Sequence, residues 1–139
     1  GMGEAARIAK NEMEKESGRM LKIRDELIEK ILEIEESHLT GHPKKRLPHH
    51  ASFRFSRIEG ESILLNMDTT YGIQVATGSA CSSKTSEPSH VLLAIGLKHE
   101  EAHGSMVLTL GRSNTPEQVP TIVNGVKETV QRLREISPL

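Results

Sequence analysis

The single cysteine, Cys81, is the residue whose setting most suggests chemistry. It stands in Thr77-Gly78-Ser79-Ala80-Cys81-Ser82-Ser83-Lys84-Thr85-Ser86-Glu87, where no other apolar residue is larger than alanine. A lone cysteine is usually a small buried hydrophobe. Small and hydroxylated neighbours on this scale cannot bury a thiol in a dry core. The segment is therefore expected to be a solvated, mobile loop whose thiol is accessible and has reach. Proximity of Ser82 and Lys84 along the chain does not by itself lower the thiol's pKa.

A second pattern is His99-Glu100-Glu101-Ala102-His103. Two histidines one helical turn apart can bind zinc, with the intervening glutamate as base. That chemistry needs a long buried helix and a third ligand. Here Lys98 precedes the motif, Gly104 ends it, and no histidine follows His103. A polar surface turn is the better reading, and no metal site is assigned. His49 and His50 are neighbours on an expected strand and point to opposite faces, so with His42 they make no cluster. Lys44-Lys45-Arg46 reads as a solvated turn, with an acidic partner as the alternative. Gly111-Arg112-Ser113-Asn114 lacks the glycine spacing of a phosphate loop.

The elements that must position these residues follow from periodicity. Residues 4–36 contain no proline and place Ala6, Ala9, Met13, Ser17, Met20, Leu27, Ile31 and Ile34 on one helical stripe. Leu21 and Ile28 widen it, and Arg24 interrupts it. A helix of about 30 residues is roughly 45 Å long, more than the width of a domain this size. Its first half must lean on something outside the chain or pair with a copy of itself. Ala51, Phe53 and Phe55 alternate with polar residues as a half-buried strand over 49–57. A short helix is expected over 59–69, carrying Ile63, Leu64, Leu65 and Met67, and a short strand over 73–76. Pro88 opens a helix to Ala94, with Gly96 as terminator. Met106 to Leu110 reads as a buried strand. Thr115 caps a last helix with Pro116 at its first position, carrying Val119, Ile122, Val123, Val126, Val130 and Leu133. This succession predicts an α+β fold over residues 1–139 as one domain: a small, mainly antiparallel sheet packed with helices behind a long N-terminal helix.

Composition narrows the function classes. At 139 residues there is no room for a second core. Lysine and arginine (18) nearly cancel aspartate and glutamate (19), which removes the bulk electrostatic case for nucleic acid or an anionic membrane. The longest apolar stretch, Val91 to Leu97, is too short to span a bilayer. One cysteine excludes an internal disulfide framework. A cytoplasmic domain is expected.

The residues around Cys81 also resemble a known family. Gly78-Ser79-Ala80-Cys81-Ser82-Ser83 followed by Glu87-Pro88-Ser89-His90-Val91-Leu92 is similar to the active-cysteine loop of NifS/IscS-like cysteine desulfurases. Gly41-His42-Pro43, Arg46-Leu47-Pro48, Glu59-Gly60-Glu61-Ser62, Leu110-Gly111-Arg112 and Arg132-Leu133-Arg134 fit their places in order, and Gly1 to Ala5 resembles the start of that family's interdomain helix. The resemblance implies the C-terminal small domain of a class V aminotransferase, a fold-type I pyridoxal-phosphate enzyme. It implies Cys81 as the catalytic residue, taking sulfur from free cysteine as a persulfide for iron–sulfur cluster assembly or another acceptor. The cofactor lysine belongs to the large domain, which this chain lacks. No cofactor-binding residue is therefore expected here, and the chain alone is expected to be inactive. Val107 stands where the family carries an arginine for the substrate carboxylate, and valine cannot make that contact.

Three functions remain in view. The chain is a piece of a desulfurase that works with a separate or missing cofactor domain and passes sulfur to an iron–sulfur scaffold or other acceptor protein. Alternatively it is a stand-alone, non-catalytic sulfur-carrier or scaffold-docking domain, or a helical pairing module using residues 4–34. Weak pairing of two chains through the first helix is expected, with fraying of its first turns as the other outcome.

Overall fold

The computed structural model describes residues 1–78 and 88–136 of the chain. Helix α1 spans Met2–Ile31 and is rich in glutamate, lysine, arginine and alanine, all suited to a helix. Ile23, Leu27 and Ile31 bury one stripe against the core, four residues apart. Ile23 takes the place expected for Leu21, which faces solvent. Arg24 is buried as well, at 3 % exposure. Its guanidinium donates to the Leu47 carbonyl at 2.9 Å and to Asp25 Oδ1 at 2.6 Å, so the buried charge is paired.

The helix stops at Ile31 rather than near residue 36. The Ser37 hydroxyl lies within hydrogen-bond distance of the Ile31 and Ile34 carbonyl oxygens, at 2.9 and 2.6 Å, which also accept the Ile34 and Ser37 N–H groups, so the chain closes into turns past the helix end. Glu36, at φ 54°, then turns the chain back into strand β1, Ser37–Leu39. Three residues are too few to show an alternation, which is why this strand was not expected.

Strand β2, His50–Phe55, is the centre of a three-stranded antiparallel sheet between β1 and β3, Ser105–Thr109. Phe53 lies opposite both Leu39 and Met106. Ala51, Phe53, Phe55, Met106 and Leu108 form the core face. Over it pack the buried stripes of α1, of α2 (Gly60–Tyr71; Ile63 and Met67) and of α5 (Val119–Ile136; Ile122, Val126, Val130 and Leu133). Leu65 of α2 faces out. A 3₁₀ turn over Pro116–Gln118 leads into α5, with Gln118 Oε1 accepting the Thr115 N–H at 3.1 Å. The short helices α3 (His90–Ala94) and α4 (His99–His103) precede β3. The architecture is the expected α+β arrangement. The strand expected over 73–76 is a single bridge, Ala76 to Val107. The Ile73 N–H donates back to the Met67 carbonyl, which ties the start of that segment to the end of α2.

From Met2 to Lys15 α1 buries nothing, so about 20 Å of helix stands clear of the core. Ala6, Ala9 and Met13 are exposed, Met13 at 65 %. Farther along, Arg19 donates to the carbonyls of Gly111 (3.1 Å), Arg112 (3.3 Å) and Asn114, and Arg112 pairs with Glu12 at 2.7 Å. These bonds strap the middle of the helix to the loop after β3. A cleft of about 320 Å³ lies between, lined by Met13, Ser17, Met20, Leu47, Pro48 and Arg112 among others.

Two outcomes are expected. The bare stripe should drive weak pairing, visible as a rise in mean mass with concentration in light scattering and abolished by Met13→Glu with Met20→Glu. A wild type that stays monomeric at every concentration would refute it. Gly104→Ala should be severe, because a Cβ there would lie 2.2 Å from the Phe55 carbonyl oxygen. A loss of about 3 kcal/mol in urea unfolding is expected; a loss within error would contradict this packing.

Candidate functional site

Cys81, with Ser82, Lys84 and the rest of 79–87, lies outside the described residues, as does the expectation that this segment is the most mobile of the chain's interior. What the structure describes is the base on which that segment stands. Ala76 and Val107 exchange backbone hydrogen bonds of 3.1 and 2.7 Å. The Gly78 N–H donates to Ser105 Oγ at 3.2 Å. Gly78 sits so close to its neighbours that a Cβ would lie 3.0 Å from Ser89 Cβ, 3.1 Å from Leu92 Cδ1 and 3.3 Å from Ser105 Oγ. Ser89, Leu92 and Ser105 are all buried. The chain therefore leaves at Gly78 and returns at Ser89 on one spot, beside the first residue of β3. The Ser105 contact, 27 residues from Gly78, had no local signal in the sequence.

The sheet face opposite the core is polar. Its rows are His38, Arg54 and Ser105, then Ser52 and Val107, then His50 and Thr109. Ser52 is buried, and the Thr40 hydroxyl donates to its Oγ at 2.5 Å. Val107 is half-buried at the centre of this face and offers neither charge nor hydrogen bond. Burial pushes the His50 imidazole below its ordinary value, helped by the positive charges of Arg46 and His49.

The His99–His103 motif is α4, a five-residue helix lying against β2. Glu101 accepts the Lys98 N–H at 2.9 Å and pairs with Arg54 at 3.2 Å, and these contacts hold its carboxyl below the usual range. Glu101 thus caps the helix and ties it to the sheet. His103 Nδ1 lies 3.9 Å from Glu59 Oε2, beside a cleft of about 360 Å³ that also takes in Arg57 and Glu100. Among the described residues no three His, Cys, Asp or Glu side chains are grouped to hold a metal ion. His42 is occupied in the turn at 42–46: its Nδ1 accepts the N–H groups of Lys44 and Lys45 at 3.0 and 2.9 Å. Arg46 closes that turn by donating to the carbonyls of Thr40 and His42, so it is a structural member of a stretch that reads as merely solvated. Gly111–Asn114 closes on itself through Asn114 Oδ1, 2.8 Å from the Gly111 nitrogen.

Residues 1–122 match the family model for class-V aminotransferases. The chain belongs to that family. Over all 139 residues it is 56 % identical to Cysteine desulfurase IscS 1 of Archaeoglobus fulgidus and 49 % identical to Cysteine desulfurase IscS of Methanosarcina thermophila, covering 36 % and 34 % of those proteins. A solved NifS-like protein superposes with a TM-score of 0.77 at 26 % identity, over 91 % of this chain and 31 % of that one. A NifS-like protein of Rickettsia africae, at 20 % identity and a TM-score of 0.80 over 93 % of this chain and 33 % of its own, shares the fold. The chain thus spans about a third of the length of the relatives it matches. No described helix is long and apolar enough to cross a membrane.

Pyridoxal phosphate, the cofactor that a class-V aminotransferase implies, requires a lysine in an enclosed site. No lysine lines the two clefts above, or a third of about 510 Å³ bounded by Tyr71, Gln74, Thr109, Glu117 and Gln118. These three clefts do not fit it.

The environment of His50 generates a pH dependence. Its folded pKa lies below the ordinary imidazole value of about 6.5, so below that pH the unfolded chain takes up a proton that the fold does not. Stability should fall as pH drops from 6.5 toward the folded value. His50→Gln should flatten that part of a urea-midpoint curve, and an unchanged slope would assign it to another group.

Proposed function

We propose that the chain is the small, C-terminal domain of a cysteine desulfurase and that Cys81 is its sulfur-accepting residue. The observation that carries this reading is the 56 % identity, along the whole chain, to a protein named as a cysteine desulfurase. The pinned base at Gly78, Ser89 and Ser105 supports it, because a thiol that meets a donor and then an acceptor needs a fixed root. In the proposed step the Cys81 thiolate forms an S–S bond to the sulfur of free cysteine. The carbon–sulfur bond breaks, its electron pair stays with carbon, and that carbon takes up a proton to become alanine. The groups that make this cleavage possible, pyridoxal phosphate among them, belong to a larger domain supplied in the same or another polypeptide. Cys81 then hands its outer sulfur to an iron–sulfur scaffold or another acceptor protein in the cytoplasm.

A second reading is favoured by Val107. An aliphatic side chain at the centre of the polar face suits a domain that carries sulfur without gripping a substrate carboxylate. That domain would be a stand-alone sulfur carrier or scaffold-docking module.

Because Cys81 is the sole cysteine, a mass gain of one sulfur atom, reversed by dithiothreitol, reports its loading directly. With the N-terminal portion of the Archaeoglobus fulgidus relative supplied in trans, free cysteine should load wild type and not Cys81→Ser. Loading only from a ready-made persulfide would select the carrier reading. No loading from either source would defeat both. The chain alone should release no sulfide from cysteine.

A further inference from the structure

We infer that the open edge of β3 at Thr109 is a docking site for an extended segment of the larger portion of a cysteine desulfurase, which adds to the sheet there as a short strand. The inference rests on the reading of the chain as one domain of such an enzyme. Backbone groups along a strand point alternately to its two sides. The Phe55 N–H is bonded to the Gly104 carbonyl and the Leu110 N–H to the His49 carbonyl, so the even-numbered residues of β3 face β2. The odd-numbered ones face away. Val107 uses both of its outward groups, exchanging bonds of 3.1 and 2.7 Å with Ala76. Continued in antiparallel register, the next such pair would be Gln74 with Thr109. It does not form. Gly72 ends α2 at φ 64°, the Ile73 N–H donates back to the Met67 carbonyl at 3.0 Å, and Ile73 and Val75 pack on the core. These anchors draw residues 73–75 away from β3. A cleft of about 510 Å³ opens between them, lined by Gln74, Thr109, Gln118 and Thr121 among others. Among the described residues the outward N–H and C=O of Thr109 meet no backbone partner.

The lining selects the occupant. Among the described lining residues Glu117 alone carries a charge, and the rest of the polar wall is amide and hydroxyl. Neutral donors and acceptors beside a free N–H and C=O suit the main chain of an extended peptide, as in strand addition to a sheet edge. The outward groups of one residue are too short an edge to hold a free peptide, because isolated strand pairing is marginal in water. A segment carried on a body that also touches the domain elsewhere escapes much of that cost, since its pairing is effectively intramolecular. The chain covers 36 % and 34 % of two desulfurase relatives, so about two thirds of each lies outside it and can supply such a segment.

The test uses the whole chain and the N-terminal portion of the Archaeoglobus fulgidus relative, read by amide hydrogen exchange. Adding that portion should slow exchange of the Thr109 N–H by about tenfold or more. Thr109→Pro removes the outward N–H and spares every bond between β3 and β2, so it should stay folded yet bind the portion about tenfold more weakly. Thr109→Val, which loses the hydroxyl and keeps the N–H, should bind as wild type does. Protection of Thr109 that rises with the concentration of the chain alone would make a second copy the occupant and overturn the proposal. Association that leaves both the Thr109 exchange rate and the affinity of Thr109→Pro unchanged would overturn it too, without touching the desulfurase reading. No association at all would also overturn it. Protection of Thr109 by a portion that supports no sulfur loading would keep the docking edge and defeat only the enzymatic reading.

Discussion

The close approach of bare backbone at Gly60 and Gly104 is the constraint from which the rest of this structure follows. A side chain at either position would drive a Cβ to 2.2 Å from a carbonyl oxygen, of Ser105 in one case and of Phe55 in the other. With glycine at both, the end of β2, the start of α2 and the start of β3 stack at van der Waals distance. The Phe55 N–H reaches the Gly104 carbonyl at 2.9 Å. That junction places Ile63 and Met67 over the sheet on one side. On the other it sets Ser105 where Gly78 can reach it. Core packing and the root of the Cys81 segment thus share one origin, and a defect at Gly104 would be felt in both.

Helix α1 answers to a different balance. Its second half is held by an apolar stripe and by a buried, paired arginine at position 24. Its middle is held by polar bonds, with Arg19 on three carbonyls of the loop after β3 and Glu12 on Arg112. Its first turns are held by neither. A helix gains little from propensity alone in water, and most of its stability comes from packing. The exposed face of Ala6, Ala9 and Met13 is therefore the part of the fold whose state depends most on what lies beside it.

Legibility in the sequence tracked the range of the interaction. Strand β2 was readable because Ala51, Phe53 and Phe55 alternate with polar residues, and the buried positions of α5 follow a 3.6-residue period. Strand β1 was not readable, since three residues carry no period and the turns past Ile31 close through contacts reaching as far as Ser37. Arg24 looked like an interruption because its partner, the Leu47 carbonyl, lies 23 residues away and leaves no mark in composition. At the site the same rule holds. The composition around Cys81 announced a segment unable to form a core, but its root on Ser105 is a single long-range hydrogen bond to a residue that resembles any other serine.

On the proposed reading of Cys81, a sulfur-accepting thiol faces opposing demands. Meeting a donor and then an acceptor asks for freedom, while meeting each at the right place asks for restraint. A chain cannot supply both at one residue. Here restraint is offered by the exposed backbone of Gly78 and by the buried Ser89, Leu92 and Ser105 packed closely against it. The sequence beyond Gly78 is small and polar and has little apolar surface to gain from burial.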